Sequence, residues 1–259
     1  MISFNHLGNL GRLGNQMFQY ASLKGIAIKN NLEYIIPPKD IFGQYDINVK
    51  KSDVNIFDCF NLKCKTGISK NPRKVESTFG FDKNLFNMCP DNIDLVGYFQ
   101  TEKYFIHIEK KIKKEFTFKI DLLNLCKSFI KDDTISLHIR RGDYLTNPNH
   151  PPQPMSYYKK ALSILPNLPV IVFSDDYEWC KKQELFDSDR FIIAEGNSTD
   201  CDLCLMTLCT HHIISNSSYS WWGAWLADSK QVIAPKKWFG GECVNKDTKD
   251  LYSNGWKVL

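Results

Sequence analysis

From residue 134 to residue 233 short apolar runs alternate with stretches of helical periodicity, and this cadence limits the fold more than any other feature of the chain. Residues 134–140, Val170-Ile171-Val172-Phe173, Phe191-Ile192-Ile193, His212-Ile213-Ile214 and Gln231-Val232-Ile233 read as strands. Helices are expected from Ser156 to Leu165, over 200–210 and over 218–228, with another following Asp175-Asp176 and a Pro-rich loop over 148–154. Strands separated by helices cannot pair as hairpins, so the pattern predicts a parallel sheet with helices on both faces.

The N-terminus opens in a similar way. A strand over 2–6 runs into Gly8-Asn9-Leu10-Gly11-Arg12-Leu13-Gly14, and from Asn15 to Asn30 apolar residues recur at helical spacing through Met17, Tyr20, Ala21, Leu23 and Ile28. A strand from Leu32 to Ile36 follows and stops at Pro37-Pro38, completing a strand–turn–helix–strand unit. Residues 39–95 are Lys/Asn-rich and show no regular pattern, and a helix is expected from Asp121 to Lys131. A chain of 259 residues suits two modest α/β domains. The expected division is 1–120 and 121–259, with the two parallel sheets facing a central cleft.

A net charge of +4 is too weak to argue for nucleic acid. The run Lys110-Lys111-Ile112-Lys113-Lys114 is expected on the solvated face of a helix. Nine scattered cysteines lack the framework of a small secreted domain, and neither a signal peptide nor an apolar span of membrane length is visible, so a cytoplasmic protein without a transmembrane segment is expected. The glycines at 8, 11 and 14 do not have the dinucleotide spacing, and no phosphate loop of the Gly-Lys-Ser/Thr type occurs, which removes support for hydride transfer or nucleotide triphosphate hydrolysis.

Chemistry concentrates at strand ends. His138-Ile139-Arg140-Arg141-Gly142-Asp143-Tyr144 places two adjacent guanidinium groups and a carboxylate after a β-type run. Guanidinium groups grip phosphate bidentately and stay charged, so the pair predicts a diphosphate ligand where α/β sheets bind theirs. Gly14, Asn15 and Gln16 stand at a glycine turn entering a helix, a place where backbone can approach an anion; as plain structure it is a tight turn with a cap. Asp175-Asp176 closes a strand where a carboxylate can accept ribose hydroxyls, or serve as an Asx cap. Asp202 opens one helix and Ser217-Ser218-Tyr219 the next, where a hydroxyl and backbone amides suit phosphate as well as ordinary capping. The Trp221-Trp222-Gly223-Ala224-Trp225 run reads as core. Cys201, Cys204, Cys209, His211 and His212 have ligand chemistry but no second pair at zinc spacing, so no metal is expected; the Asp-x-Asp pairs at 187/189 and 200/202 are short enough to occur by chance.

Gly11-Arg12-Leu13-Gly14-Asn15-Gln16-Met17-Phe18-Gln19-Tyr20, the block from His138 to Tyr144, and Ser215-Asn216-Ser217-Ser218-Tyr219-Ser220-Trp221-Trp222-Gly223-Ala224-Trp225 together resemble the signature blocks of the α-1,2-fucosyltransferase family, with residues 98–105 as a fourth. The resemblance implies the GT-B fold of two Rossmann-like domains, with the GDP-sugar on the C-terminal one and the acceptor on the N-terminal side. It also implies a GDP-fucose donor, a galactose-type acceptor hydroxyl at position 2, inversion at the anomeric carbon, and no cofactor or metal. By similarity to the wider fucosyltransferase group, Arg140 holds the β-phosphate with support from Arg141 and Asp143. His138 then lies near the nucleoside and Asp175-Asp176 beside it, while Asp202 binds guanine, Ser218 binds phosphate and Asn15 stands at the reacting centre.

One departure concerns the base: α-1,6 enzymes carry a Glu shortly after the two arginines, whereas residues 144–150 hold no carboxylate, leaving Asp143, His150 or no side chain. Two other functions stay open, a transferase of the same fold using another GDP-sugar such as GDP-mannose, and a catalytically silent nucleotide- or carbohydrate-binding module. The joint presence of Arg140, Arg141, Asp143 and Asn15 argues against the silent module.

Overall fold

Sequence order and spatial order part company near the middle of each sheet, and in open α/β folds that is where ligands bind. The computed structural model describes residues 1–44, 54–130 and 132–259. It divides into two units, 1–119 with 247–252, and 120–246 with 253–259.

The first unit runs β1 (Ile2–Ser3), α1 (Leu13–Lys29), β2 (Tyr34–Ile36), α2 (Ile56–Cys59), β3 (Lys65–Thr66), β4 (Arg73–Val75), α3 (Lys83–Asn87), β5 (Asp94–Val96) and α4 (Glu109–Glu115). Among the described residues its five strands pair in parallel in the order β3-β2-β1-β5-β4, so the order reverses between β1 and β5. The strand expected over 2–6 ends at Ser3 because Leu7 and Asn9 amides turn back to the carbonyls of Phe4 and His6, and Gly8 and Gly11 take left-handed φ of 94° and 87°. The core is aromatic: Phe4, Phe99 and Tyr104 meet edge to face with ring centroids 5.7 and 5.5 Å apart. The lysines of α4 lie outward while Ile112 is fully buried, as the run predicts. Residues 247–252 join this unit through Asp250, which pairs with Lys103 at 2.5 Å and accepts the Phe81 amide at 3.0 Å.

The second unit runs α5 (Ile120–Phe129), β6 (Ile135–Ile139), α6 (Met155–Leu162), β7 (Val170–Ser174), α7 (Tyr177–Lys181), β8 (Phe191–Ile193), α8 (Thr199–Leu208), β9 (His211–Ile213), α9 (Ser218–Leu226), β10 (Gln231–Ala234) and β11 (Lys257–Val258). Its six described strands are parallel in the order β11-β10-β9-β6-β7-β8, reversing between β6 and β9. The α/β class with two parallel sheets is therefore as expected. α5 ends at Phe129, and Lys131, to which that helix was expected to extend, lies outside the described residues. β6, β7, β9 and β10 bury Ile135, Leu137, Ile139, Val170, Val172, Ile213 and Ile233 together with Tyr157, Tyr158 and Leu162 of α6. The Trp run is core: Trp221 and Trp222 are fully buried on α9.

Candidate active site

β6 carries its chemistry on its last turn of chain. His138 is buried within the strand; its Nδ1 meets Ser215 Oγ at 2.8 Å and its ring tilts against Tyr219 at 5.6 Å. Burial, with the Arg140 charge adding to it, lowers the imidazole to about 3, so it is neutral near pH 7.

Parallel register sets what comes next. Ile139 pairs with Ser174, so the chains leave β6 and β7 side by side as Arg140-Arg141 and Asp175-Asp176. Arg140 Nη1 lies 2.8 Å from Asp175 Oδ2, its Nη2 pairs with Asp143, and the group sits 5.3 Å from the Tyr144 ring. Arg141 donates from Nε to Asp176 Oδ2 at 2.9 Å and from its backbone amide to Asp175 Oδ1 at 2.8 Å, and its guanidinium lies 3.8 Å from the Trp179 ring centroid. A cation flat on an indole gains electrostatically and is held in plane. Asp176 also caps α7 through the Trp179 amide at 3.2 Å.

Asp175 and Asp176, read from the sequence as ribose acceptors or as an Asx cap, both bond the arginines, and Asp176 caps its helix as well. The carboxylates hold two guanidinium forks in place before any ligand arrives. Asp143 is the exposed member, its side chain half open to solvent against 14% for Arg140. Of the two carboxylates on Arg140 it is the one more open to solvent.

Beyond β9 the chain enters α9. Ser217 caps that helix by accepting the Tyr219 amide at 3.4 Å, Ser218 is its first residue, and Tyr219 Oη donates to the Thr199 carbonyl at 2.6 Å, tying α9 to the start of α8. Both readings of Ser217 and Ser218 survive, since a capped N-terminus still presents backbone amides. Asp202 lies in the first turn of α8, its carboxylate accepting Asn197 Nδ2 at 2.9 Å, and burial lifts its pKa to about 6. The base candidate His150 packs between Tyr144 and Phe239 at 5.4 and 5.3 Å; burial, then Lys246, lower its pKa and keep it neutral.

Gly14, Asn15 and Gln16 belong to the first unit. Arg12 precedes α1 without a side-chain cap, and Asn15 and Gln16 amides bond back to its carbonyl. Asn15 Oδ1 accepts Gln100 Nε2 at 2.6 Å. Gln16, expected with Gly14 and Asn15 at the turn entering the helix, is fully buried and uses its amide inside the unit, donating to Val54 O at 3.2 Å and accepting from Ile56 N at 3.1 Å. Gly14 is likewise buried in the first turn of the helix.

Trp179 escaped the sequence reading, although an indole three residues after Asp176 at the start of a helix was a usable signal; Tyr144, Ser215 and Gln100 lie within the blocks that carry the resemblance, but no individual role was expected of them. Among the described residues no group of three or more His, Cys, Asp or Glu side chains is placed to hold a metal ion, and no helix is long and apolar enough to cross a membrane. Cys126 and Cys201 face each other at 3.9 Å as free thiols, both pushed up to about 12, chiefly by burial.

The sequence profile of Glycosyl transferase family 11 matches residues 2–259. An alpha-1,2-colitosyltransferase of Escherichia coli is 32% identical over 270 residues, covering 91% of this chain and 92% of the relative. A galactoside 2-alpha-L-fucosyltransferase of Bos taurus is 23% identical, covering 86% of this chain and 64% of its own length. Among solved structures, NodZ alpha-1,6-fucosyltransferase soaked with GDP-fucose shares the fold at a TM-score of 0.55 and 12% identity, over 87% of this chain and 92% of that one. Two parallel α/β sheets with this likeness are the GT-B fold. By profile and by relatives alike, the chain belongs to glycosyl transferase family 11.

Proposed function

We propose that this transferase moves fucose from GDP-fucose to the 2-hydroxyl of a galactose-type acceptor, with inversion and without a metal ion. The observation that carries the proposal is the arginine pair at the C-terminal end of β6, held by Asp143, Asp175 and Asp176 beside the β6/β9 switch point. The acceptor oxygen bonds to the anomeric carbon as the bond from that carbon to the β-phosphate oxygen breaks, and GDP leaves with the electron pair. Negative charge grows on the β-phosphate, and stabilising it is the larger part of the task. Arg140 does this, with Arg141 and the amides at the start of α9 holding the rest of the diphosphate. The hydroxyl proton goes to Asp143, released from Arg140 as phosphate takes its place. His138 stays neutral and acts through Ser215 and Tyr219 rather than as an acid.

A second reading has a nucleotide-linked colitose as donor, and the 32% identical colitosyltransferase favours it. The decisive assay offers GDP-fucose, GDP-linked colitose and GDP-mannose with a terminal galactoside, and determines the product linkage. An α-1,2-fucosylated product is expected, with Arg140→Ala losing on the order of 10²–10³ in kcat while its thermal melt stays near that of the parent. A preference for another donor, or near-normal turnover by Arg140→Ala, overturns the proposal.

A further inference from the structure

Three polar side chains, Asn15, Gln19 and Ser22, lie along one side of α1, one helical turn apart. Gln19 and Ser22 are fully buried, which calls for a reason in a helix packed on its sheet. All three face the segment that follows β5. Gln19 Nε2 donates to Gly97 O at 3.0 Å and to Leu10 O at 2.9 Å, Ser22 Oγ donates to Phe99 O at 3.1 Å, and Gln100 Nε2 donates to Asn15 Oδ1 at 2.6 Å. The glycine turn after β1 and the segment after β5 thus meet over the β1/β5 switch point of this sheet.

The segment is fixed from its other side too. Phe99 has a left-handed φ of 51°, rare for a bulky residue, and the Tyr98 and Phe99 amides are taken by the Glu76 carboxylate at 2.8 and 3.0 Å. Gln100 is therefore delivered by a rigid turn. Across from it, Gly11 leaves no room: a Cβ there would lie 1.9 Å from Asn15 Nδ2. The Asn15 amide is held between these two neighbours.

We propose that Gln100 is a positioning residue for Asn15, donating to Asn15 Oδ1 and so fixing the Asn15 amide with its NH2 group as the donor at the entrance of α1. An amide able to turn over offers an acceptor or a donor to a ligand; one whose oxygen is engaged offers only the donor. A fixed donor costs no reorganisation when charge develops. The inference rests on the proposed function and takes Asn15 to stand at the reacting centre of that transfer.

The test compares Gln100→Glu, Asn15→Ala and their double variant in the transfer assay. Glutamate keeps the shape of glutamine but only accepts when ionised, so it turns the Asn15 amide over. Gln100→Glu is expected to lower kcat on the order of tenfold or more with donor KM and melting temperature little changed, and Gln100→Met to fall between it and the parent. In the Asn15→Ala background, Gln100→Glu should cost nothing further, because the group it positions is gone. Equal losses in both backgrounds, or an unchanged kcat in Gln100→Glu, would overturn the proposal. Near-normal activity of Asn15→Ala would overturn it as well, whereas an α-1,2-fucosylated product made by the parent in that experiment shows that the proposed transfer itself stands.

Discussion

Asp202 differs from the other acids of the site in its surroundings. Burial at the start of α8 raises its carboxyl to about 6, against the smaller opposing pull of the Asn197 amide. The native state thus keeps a proton that the unfolded chain releases near 3.8. Asp202 favours folding below that lower value, and the contribution is lost as pH rises through about 6, amounting at most to roughly 3 kcal/mol at about 1.4 kcal/mol per unit. Asp202→Asn, which cannot ionise, should melt higher than the parent at pH 7.5 and together with it near pH 4. Equal melting temperatures at both pH values would refute a raised carboxyl. Its position at a helix start was legible in the sequence, but its burial was not, because that depends on how α8 and α9 pack. Asp175 and Asp176 teach the same lesson. A carboxylate after a strand suits a ribose or a guanidinium equally, and only the pairing of Ile139 with Ser174 puts these two beside Arg140 and Arg141.

At the scale of elements, the strand ends of β6 and β7 are joined by a contact that admits no side chain. A Cβ on Gly142 would lie 2.3 Å from Asp175 Oδ2, so Gly142→Ala must push Asp175 away from both arginines. Gly142→Ala and Asp175→Ala are each expected to lower kcat/KM for the donor on the order of tenfold, and the double variant to fall no further than either, since both act through one carboxylate. Additive losses, measured in the same assay, would separate the two residues. The second unit was largely legible because its strands are β-branched or aromatic runs that alternate with helices. The helices expected to reach Leu165 and residue 228 stop at Leu162 and Leu226. In the first unit β3 and β4 were invisible for a physical reason: they are two and three residues long and rich in exposed lysine and arginine. β11 is equally short and rests on its backbone pairing with β10.

At the scale of the whole molecule, each unit closes its own core, and each gathers polar side chains where its strand order reverses, over β1/β5 in one and β6/β9 in the other. The charge arrangement at β6/β9 bears on metal dependence. A divalent ion that bridges a diphosphate needs carboxylate oxygens turned toward it. Here Asp175 and Asp176 give oxygens to guanidinium and backbone donors, and in the proposed transfer the cations that would meet the phosphates are the side chains of Arg140 and Arg141. Transfer is therefore expected to continue in excess EDTA at a rate within about twofold of the untreated enzyme, while added salt raises the donor KM by screening the arginine–phosphate attraction. Loss of activity in EDTA with recovery on adding magnesium or manganese would mean that an ion, and not Arg140 and Arg141, carries the leaving-group charge.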